Sequence, residues 1–489
     1  MEQLPPEQLQ TEPISEEPIQ PEPIEPEPIE PEPIEPEPTP QEPKRDNKQL
    51  AVRIICTCGV VLLLVAYVLW AAQNRPSIPG MLAAALTVFL FVYGCQRFVP
   101  QWLSFWFDRK PDELSPAGEP KHVQLLIALI SVGVELLLIF AVLLVIALDR
   151  GMLTLRDGIE FWRCLDSQHY LDITREWYVF GDEWGRTVQL VFLPGYPLAV
   201  YPLYRILNQD VIAGMLVSCA AFPAACCVFY RLLRLDLSHP QAIRAVSFLW
   251  LLPGGFFFVA PMSESLFLLL CVSALYCFRK ERFALAALFG AYAAFTRTLG
   301  LMLLAPLVFE WVHALQKQTP KQRIRSVLPI LAVPIGFLAY LWINYHVSGN
   351  PLQFLTYQKD HWGQELGWFF HTASYQTDLL IRQWAGDRST FFGLWLPNLV
   401  WIFASLGLFA ATSKRLRASY AVWFVCYFVI AIGTTWLLSA PRYLLAMPVV
   451  ALMCGTLTEK RWQHLLAAVV LLPLSVLYLI AFVLRWQVW

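Results

Sequence analysis

VQLLIALISVGVELLLIFAVLLVIAL, residues 123–148, carries a single ionisable side chain, Glu135, in an otherwise apolar run with no strict alternation. Such a run is long enough to cross a hydrocarbon layer of about 30 Å, which takes roughly 20 helical residues. In lipid the backbone N–H and C=O groups have no water to bond, so a lone spanning segment without alternation has to be a helix. Similar runs follow on both sides: 52–72, 79–96, 188–207, 211–230, 241–260, 263–278, 283–297, 298–314, 327–346 and four more between 391 and 484. Roughly fourteen segments result, several too short to span upright. The composition agrees: 57% hydrophobic, 14% aromatic and only 15% charged residues in 489, far from the balance of a water-soluble domain. The fold class is therefore all-α, a polytopic transmembrane helical bundle.

Residues 1–48 form a different region. Up to about residue 43 they repeat Pro-Ile-Glu-Pro-Glu. Proline removes donors and glutamate repels glutamate, so the segment reads as an extended, disordered acidic spacer. No basic, short apolar leader precedes it, so the first spanning helix is expected to act as the insertion signal. Lys44, Arg45, Lys48 and Arg53 stand before the first apolar run and place the tail in the cytoplasm by the positive-inside tendency. Two extra helices and a cytoplasmic loop then occupy 49–122, and the main domain 123–489. The same bias makes 97–121, 231–244, 279–282, 317–325, 414–417 and 460–461 cytoplasmic, leaving the polar loops 149–187 and 348–390 on the other face. One of 188–207 and 211–230 must then be broken or re-entrant, and Pro194, Pro197 and Pro202 select the first.

A net charge of −1 excludes a nucleic-acid partner held by a basic surface. The 11 Cys show no metal-ligand spacing and fall mostly in apolar segments, as small apolar side chains do. Chemistry concentrates instead near one membrane face. A helix over 160–173 would put Asp166, His169 and Tyr170 on one side, where a carboxylate suits a general base for a sugar hydroxyl. The same stretch also fits an interfacial amphipathic helix. Glu264, Arg297 and Arg442 interrupt apolar segments at that face, as a base and an anion clamp would, or as paired structural charges would. Glu135 lies deep in its span and has to be paired or protonated there, in a structural or a catalytic role. Tyr357, His361, Trp362, Trp368 and His371 in the second polar loop fit an interfacial aromatic belt, or rings that stack on sugars.

These residues resemble the PIG-V-type mannosyltransferases, a family that includes the enzyme adding the second mannose to GPI anchors. Asp166, His169-Tyr170, Trp177-Tyr178 and Phe192-Leu193-Pro194-Gly195-Tyr196-Pro197 follow the order of the family's first loop. Ser263-Glu264-Ser265-Leu266-Phe267 is similar to its Tyr-Ser-Glu-Ser-Leu-Phe, Thr296-Arg297-Thr298-Leu299-Gly300 to its Ala-Arg-Ser-Asn-Gly, and Pro441-Arg442-Tyr443 also fits. Leu165, Trp177, Gly195 and Leu299 depart from the pattern. The likeness spans roughly 125 to 485. It implies a GT-C fold, a polyprenyl-phosphate sugar such as dolichyl-phosphate mannose as donor, and a glycolipid or glycan acceptor at the non-cytoplasmic face. Asp166 takes the role of base, with His169, Tyr170, Tyr196, Glu264, Arg297, Arg442 and Tyr443 binding substrate. No cofactor and no metal are expected, because the donor sugar is carried on a lipid monophosphate and no Asp-x-Asp stands in the loop. The membrane would be the endoplasmic reticulum for a eukaryotic enzyme and the plasma membrane for a prokaryotic one. The competing readings are a lipid-sugar transporter or flippase, against which no internal repeat is found, and an inactive membrane scaffold.

Overall fold

The computed structural model describes residues 47–107, 120–151, 154–179, 188–315 and 317–489. The acidic tail thus lies outside the described residues, apart from Asn47 and Lys48, as do parts of the loops 97–121 and 149–187. Within the described residues the regular secondary structure is all helical, with no β-strand; an isolated antiparallel bridge joins Leu366 to Thr434.

Seven helices are long and apolar enough to cross a membrane: Gln49–Asn74, Ile78–Phe107, Val123–Arg150, Asp210–Leu233, Pro320–Ser348, Arg388–Thr412 and Arg461–Val483. The other apolar runs form shorter helices, among them His239–Leu251, Glu264–Arg279, Phe283–Thr296, Ala418–Ile432 and Pro448–Leu457. The roughly fourteen similar segments anticipated from hydropathy therefore divide into two kinds. A buried helix can be as apolar as a spanning one without having its length, and hydropathy alone does not separate them. Run 241–260 shows the difference: its helix stops at Leu251, Pro253 and Gly254 follow with Gly254 at φ 101, and a 3₁₀ turn closes at Gly255–Phe258. Run 188–207 is a 3₁₀ turn over Val188–Val191 and then the 13-residue helix Gly195–Leu207.

Glu264–Arg279 is the axis of the core, with nearly every side chain buried, and it packs against Asp210–Leu233 and Phe283–Thr296. In lipid such packing rests on close backbone approach and dispersion more than on water exclusion. The Ala-rich sequence of Phe283–Thr296 serves that approach, and the helix lies along Pro320–Ser348. Gln49–Asn74 is the opposite case. Ile54, Ile55, Leu62 and Val68 are exposed on it, as suits a helix whose solvent is lipid. Its neighbour Ile78–Phe107 is packed, running against Phe369–Gln383 and Arg388–Thr412.

Candidate active site

The first polar loop is anchored before it delivers a functional group. Phe161 and Trp162 are buried against Phe482, and this burial interrupts the helix anticipated over 160–173. Leu155–Glu160 ends there, and a second helix, Asp166–Glu176, begins at the carboxylate itself. The second helix is flanked by non-glycine residues of positive φ, Leu165 at 52 and Trp177 at 63, conformations that cost on the order of 1–3 kcal/mol and persist only where the surroundings impose them. Arg163 supplies part of that constraint: its guanidinium forks onto Asp210 at 2.9 and 2.6 Å and also reaches Glu160 at 3.0 Å. The loop is thereby tied to the start of the Asp210–Leu233 helix. Arg163 and Asp210 had not been singled out from sequence, since nothing in either segment marks the other as its partner.

Four charges from four elements then meet. Arg442 donates from Nη1 to Asp166 Oδ2 at 2.7 Å and from Nε to Glu264 Oε1 at 2.8 Å, with Nη2 2.6 Å from the same oxygen. Arg297 donates from Nη1 to Glu264 Oε1 at 2.8 Å and to Ser263 Oγ at 3.1 Å. Ser263 Oγ is in turn 3.0 Å from the Tyr170 hydroxyl. The helix carrying Asp166 is thus held to one cluster twice, through Asp166 and through Tyr170 one turn later. Tyr443 lies under Arg297, with the guanidinium 5.4 Å from the ring centre. Glu264 opens its helix, where a carboxylate is favoured by the helix dipole. Arg297 stands in extended backbone at the break between Phe283–Thr296 and Thr298–Leu303, and Arg442 sits in the short helix Ala440–Leu445. Ser263, quoted in the sequence only as part of its motif, joins the cluster through its hydroxyl beside Glu264.

The four side chains are not equally accessible. Asp166 is 33% exposed, whereas Arg297 is 9%, Arg442 3% and Glu264 0% exposed. Arg442 uses all three nitrogens on Asp166 and Glu264. Arg297 engages only Nη1, and Asp166 only Oδ2, in hydrogen bonds among the described residues. The arrangement therefore offers one accessible carboxylate oxygen and one guanidinium with donors in reserve. Glu264 does not present itself to a ligand; it is the buried counter-charge that holds the two arginines together.

Other anticipated binding residues sit around this cluster, not in it. Tyr196 is fully buried, its hydroxyl 2.8 Å from Gly214 O and 2.9 Å from Ser218 Oγ, so it forms the wall behind Tyr170. His169 stacks on Phe192 at 4.6 Å and leaves Nδ1 without a partner. Burial pushes its pKa below the usual histidine value, against the opposing pull of Asp166 and Asp172. Gly195, where the family pattern has Leu, has a steric reason: a Cβ there would stand 2.3 Å from Thr296 Oγ1 and 2.8 Å from Thr296 Cα. The second polar loop reaches the same region through Trp362, edge-on to Phe192 at 6.1 Å. His371 turns away and accepts the Trp70 indole N–H at 3.0 Å. Trp368 stacks on Phe370, and Tyr357 leans on His361. Glu135 is buried and its Oε1 has no hydrogen-bond partner. Among the described residues no group of three or more His, Cys, Asp or Glu side chains is placed to hold a metal ion.

Comparison with known proteins bears on the cluster directly. Residues 155–371 match the mannosyltransferase (PIG-V) family. The match takes in Asp166, Ser263, Glu264 and Arg297 and stops before Arg442. The resemblance read from the short motifs thus holds over the first loop and the central helices, and the protein is an integral, multi-pass membrane protein similar over those residues to a glycosyltransferase family. No curated protein matches the chain. Among solved structures, ArnT from Cupriavidus metallidurans bound to undecaprenyl phosphate is similar at a TM-score of 0.44 and 13% identity, over 73% of this chain and 75% of that one. The oligosaccharyltransferase AglB from Archaeoglobus fulgidus, in complex with an inhibitory peptide and a dolichol-phosphate, is similar at 0.39 and 11%, over 75% of this chain and 56% of that one.

Proposed function

We propose that this protein transfers a mannose-type sugar from a polyprenyl-phosphate donor to a hydroxyl of a glycolipid or glycan acceptor at the non-cytoplasmic membrane face, with Asp166 as the general base. The observation that carries this reading is the Asp166–Arg442–Glu264–Arg297 chain, which sets an accessible carboxylate and a partly uncommitted guanidinium in one buried cluster. The acceptor oxygen attacks the anomeric carbon while Asp166 takes its proton. The bond from that carbon to the phosphate oxygen breaks, and polyprenyl phosphate leaves with its negative charge. Arg297 meets that charge in a water-poor setting, where a fixed guanidinium stabilises it far more than water would. Arg442, fully engaged by two carboxylates, orients Asp166 and does not bind phosphate. With a guanidinium in this role the step needs no metal.

The two ends of one helix support the choice of face. Glu264 begins Glu264–Arg279 and Arg279 ends it about 22 Å away, and Lys280 and Arg282 follow immediately. Basic residues favour the cytoplasm, which supports setting the Glu264 end, and Asp166 with it, toward the opposite face. A GT-C fold and a lipid-borne donor accord with the family match.

The test uses the full chain in nanodiscs with radiolabelled polyprenyl-phosphate mannose and a glycan acceptor. A positioned base contributes about 10²–10⁴-fold, so Asp166→Asn should lower transfer at least about a hundredfold while the protein stays folded. Undiminished transfer in Asp166→Asn ends the base assignment, and uptake of label without transfer favours a transporter.

A further inference from the structure

Arg442 is reached by a strap, residues 433–439, that has no regular secondary structure. A segment of this kind has to find partners for its backbone groups outside itself, and here side chains of two helices provide them. Leu437 N–H donates to the Tyr375 hydroxyl at 2.6 Å. Leu437 C=O accepts from Gln376 Nε2 at 2.9 Å and from Asn398 Nδ2 at 3.2 Å. Asn398 Oδ1 then accepts from Ala440 N–H at 3.1 Å, two residues before Arg442. Upstream, Thr372 Oγ1 caps Ile432 O and Thr434 O at 2.7 and 2.9 Å, and Gly367 N–H donates to Gly433 O at 2.7 Å. Gln376 is 0% and Asn398 1% exposed, so these bonds are made away from bulk solvent.

The gripping helix is itself held from behind. Phe369–Gln383 takes the Trp70 indole N–H on His371, and its Asp378 accepts from Ser77. Side chains in such a chain of contacts have no reach to the reacting atoms, yet each fixes the next group toward Asp166. We infer that Gln376 and Asn398 are positioning residues for the transfer reaction: clamping Leu437 from two helices, they set Arg442 and, through its bond to Asp166, the direction of the base. The second polar loop then acts in catalysis through the strap and not through its aromatic rings.

This inference rests on Asp166 being the base, and a double-mutant cycle separates the two claims. Gln376→Leu and Asn398→Leu are made in the full chain and in an Arg442→Lys background, which keeps the charge but loses the fork. For each, kcat, donor KM and the thermal midpoint are measured in nanodiscs. A small misplacement of a reacting group costs up to about a hundredfold, so either leucine variant should lower kcat about tenfold or more with donor KM nearly unchanged. In the Arg442→Lys background the same changes should cost less than about threefold, because sites acting through one group are not additive. Tyr375→Phe, which removes the hydroxyl that accepts from Leu437 N–H and, at 3.3 Å, from Gln376 Nε2, should move kcat in the same direction by less and serves if a leucine variant does not fold. Unchanged kcat in a folded variant, or equal losses in both backgrounds, overturns the positioning role. Full activity in Asp166→Asn would instead remove the base assignment, while coupling between 376 and 442 would still report the clamp.

Discussion

The two ends of the Glu264–Arg279 helix each carry two arginines and two carboxylates, and only one of the two clusters pairs every carboxylate oxygen. At the Arg279 end, Asp236 accepts from Arg279 at 2.5 and 2.7 Å, from Arg417 at 3.2 Å and from the Tyr420 hydroxyl at 3.1 Å. Glu310 accepts from Arg417 at 2.6 and 2.8 Å and from Ser419 at 2.5 Å. Every carboxylate oxygen there has a partner. At the Glu264 end, Glu264 Oε2 is buried with none, Asp166 Oδ1 is uncommitted and Arg297 keeps donors in reserve. A buried ion network holds a fold together when each group is satisfied, and one with vacancies is costly unless something else fills them. The first cluster is a staple between helices; the second leaves polar atoms uncommitted, as the substrate site proposed above requires.

Substitutions can break this contrast. The largest effect is expected from Asp166→Asn, a loss of transfer of about 10³-fold with the thermal midpoint held, measured in the nanodisc assay; a comparable loss of stability would make the two clusters alike. Glu310→Ala should do the reverse. Removing one partner of a buried pair strands the arginines, costing about 3–5 kcal/mol, visible as a lowered unfolding midpoint, while activity per folded molecule stays near that of the parent. Arg297→Lys comes next: a point charge replaces the fork, and kcat should fall about tenfold to a hundredfold with little change in stability. A wild-type rate in that variant removes the phosphate role.

His169 gives the smallest and most specific effect. Its pKa is lowered by burial, so the folded protein favours the neutral ring. That contribution is complete above the ordinary histidine value of about 6.5 and is lost as pH falls through the lowered one. The unfolding midpoint should therefore drop on acidification below that value, and His169→Phe should flatten the drop. An equally steep acid limb in His169→Phe would place the titrating group elsewhere.

Much of this site was legible because charge in an apolar run stands out. Glu264, Arg297 and Arg442 each interrupt a hydrophobic stretch, and lipid makes such positions costly unless paired, so all three drew attention without a structure. Arg279, Asp236 and Arg417 did not, since residues in basic turns read as solvated loop charges although the fold half-buries them; Glu310, buried inside run 298–314, carried the same signal as Glu264. Tyr196 is a substrate contact by the family resemblance, but its hydroxyl bonds to Gly214 and Ser218 inside the wall. The continuous helix over 160–173 failed for a similar reason: periodicity does not show that Phe161 and Trp162 are pulled against Phe482.

Composition and run length alone determined that the chain lives in a membrane, that it is helical, and which polar residues are anomalous, because hydrocarbon leaves the backbone no alternative and penalises every charge. Tertiary structure decided which apolar runs have spanning length, which arginine is spoken for and which keeps donors free, and that Leu437 is held from two helices. Those are questions of partnership between residues as far apart as 166 and 442. Pairing at such separations is set by how the helices pack and is not written in the local pattern of either segment.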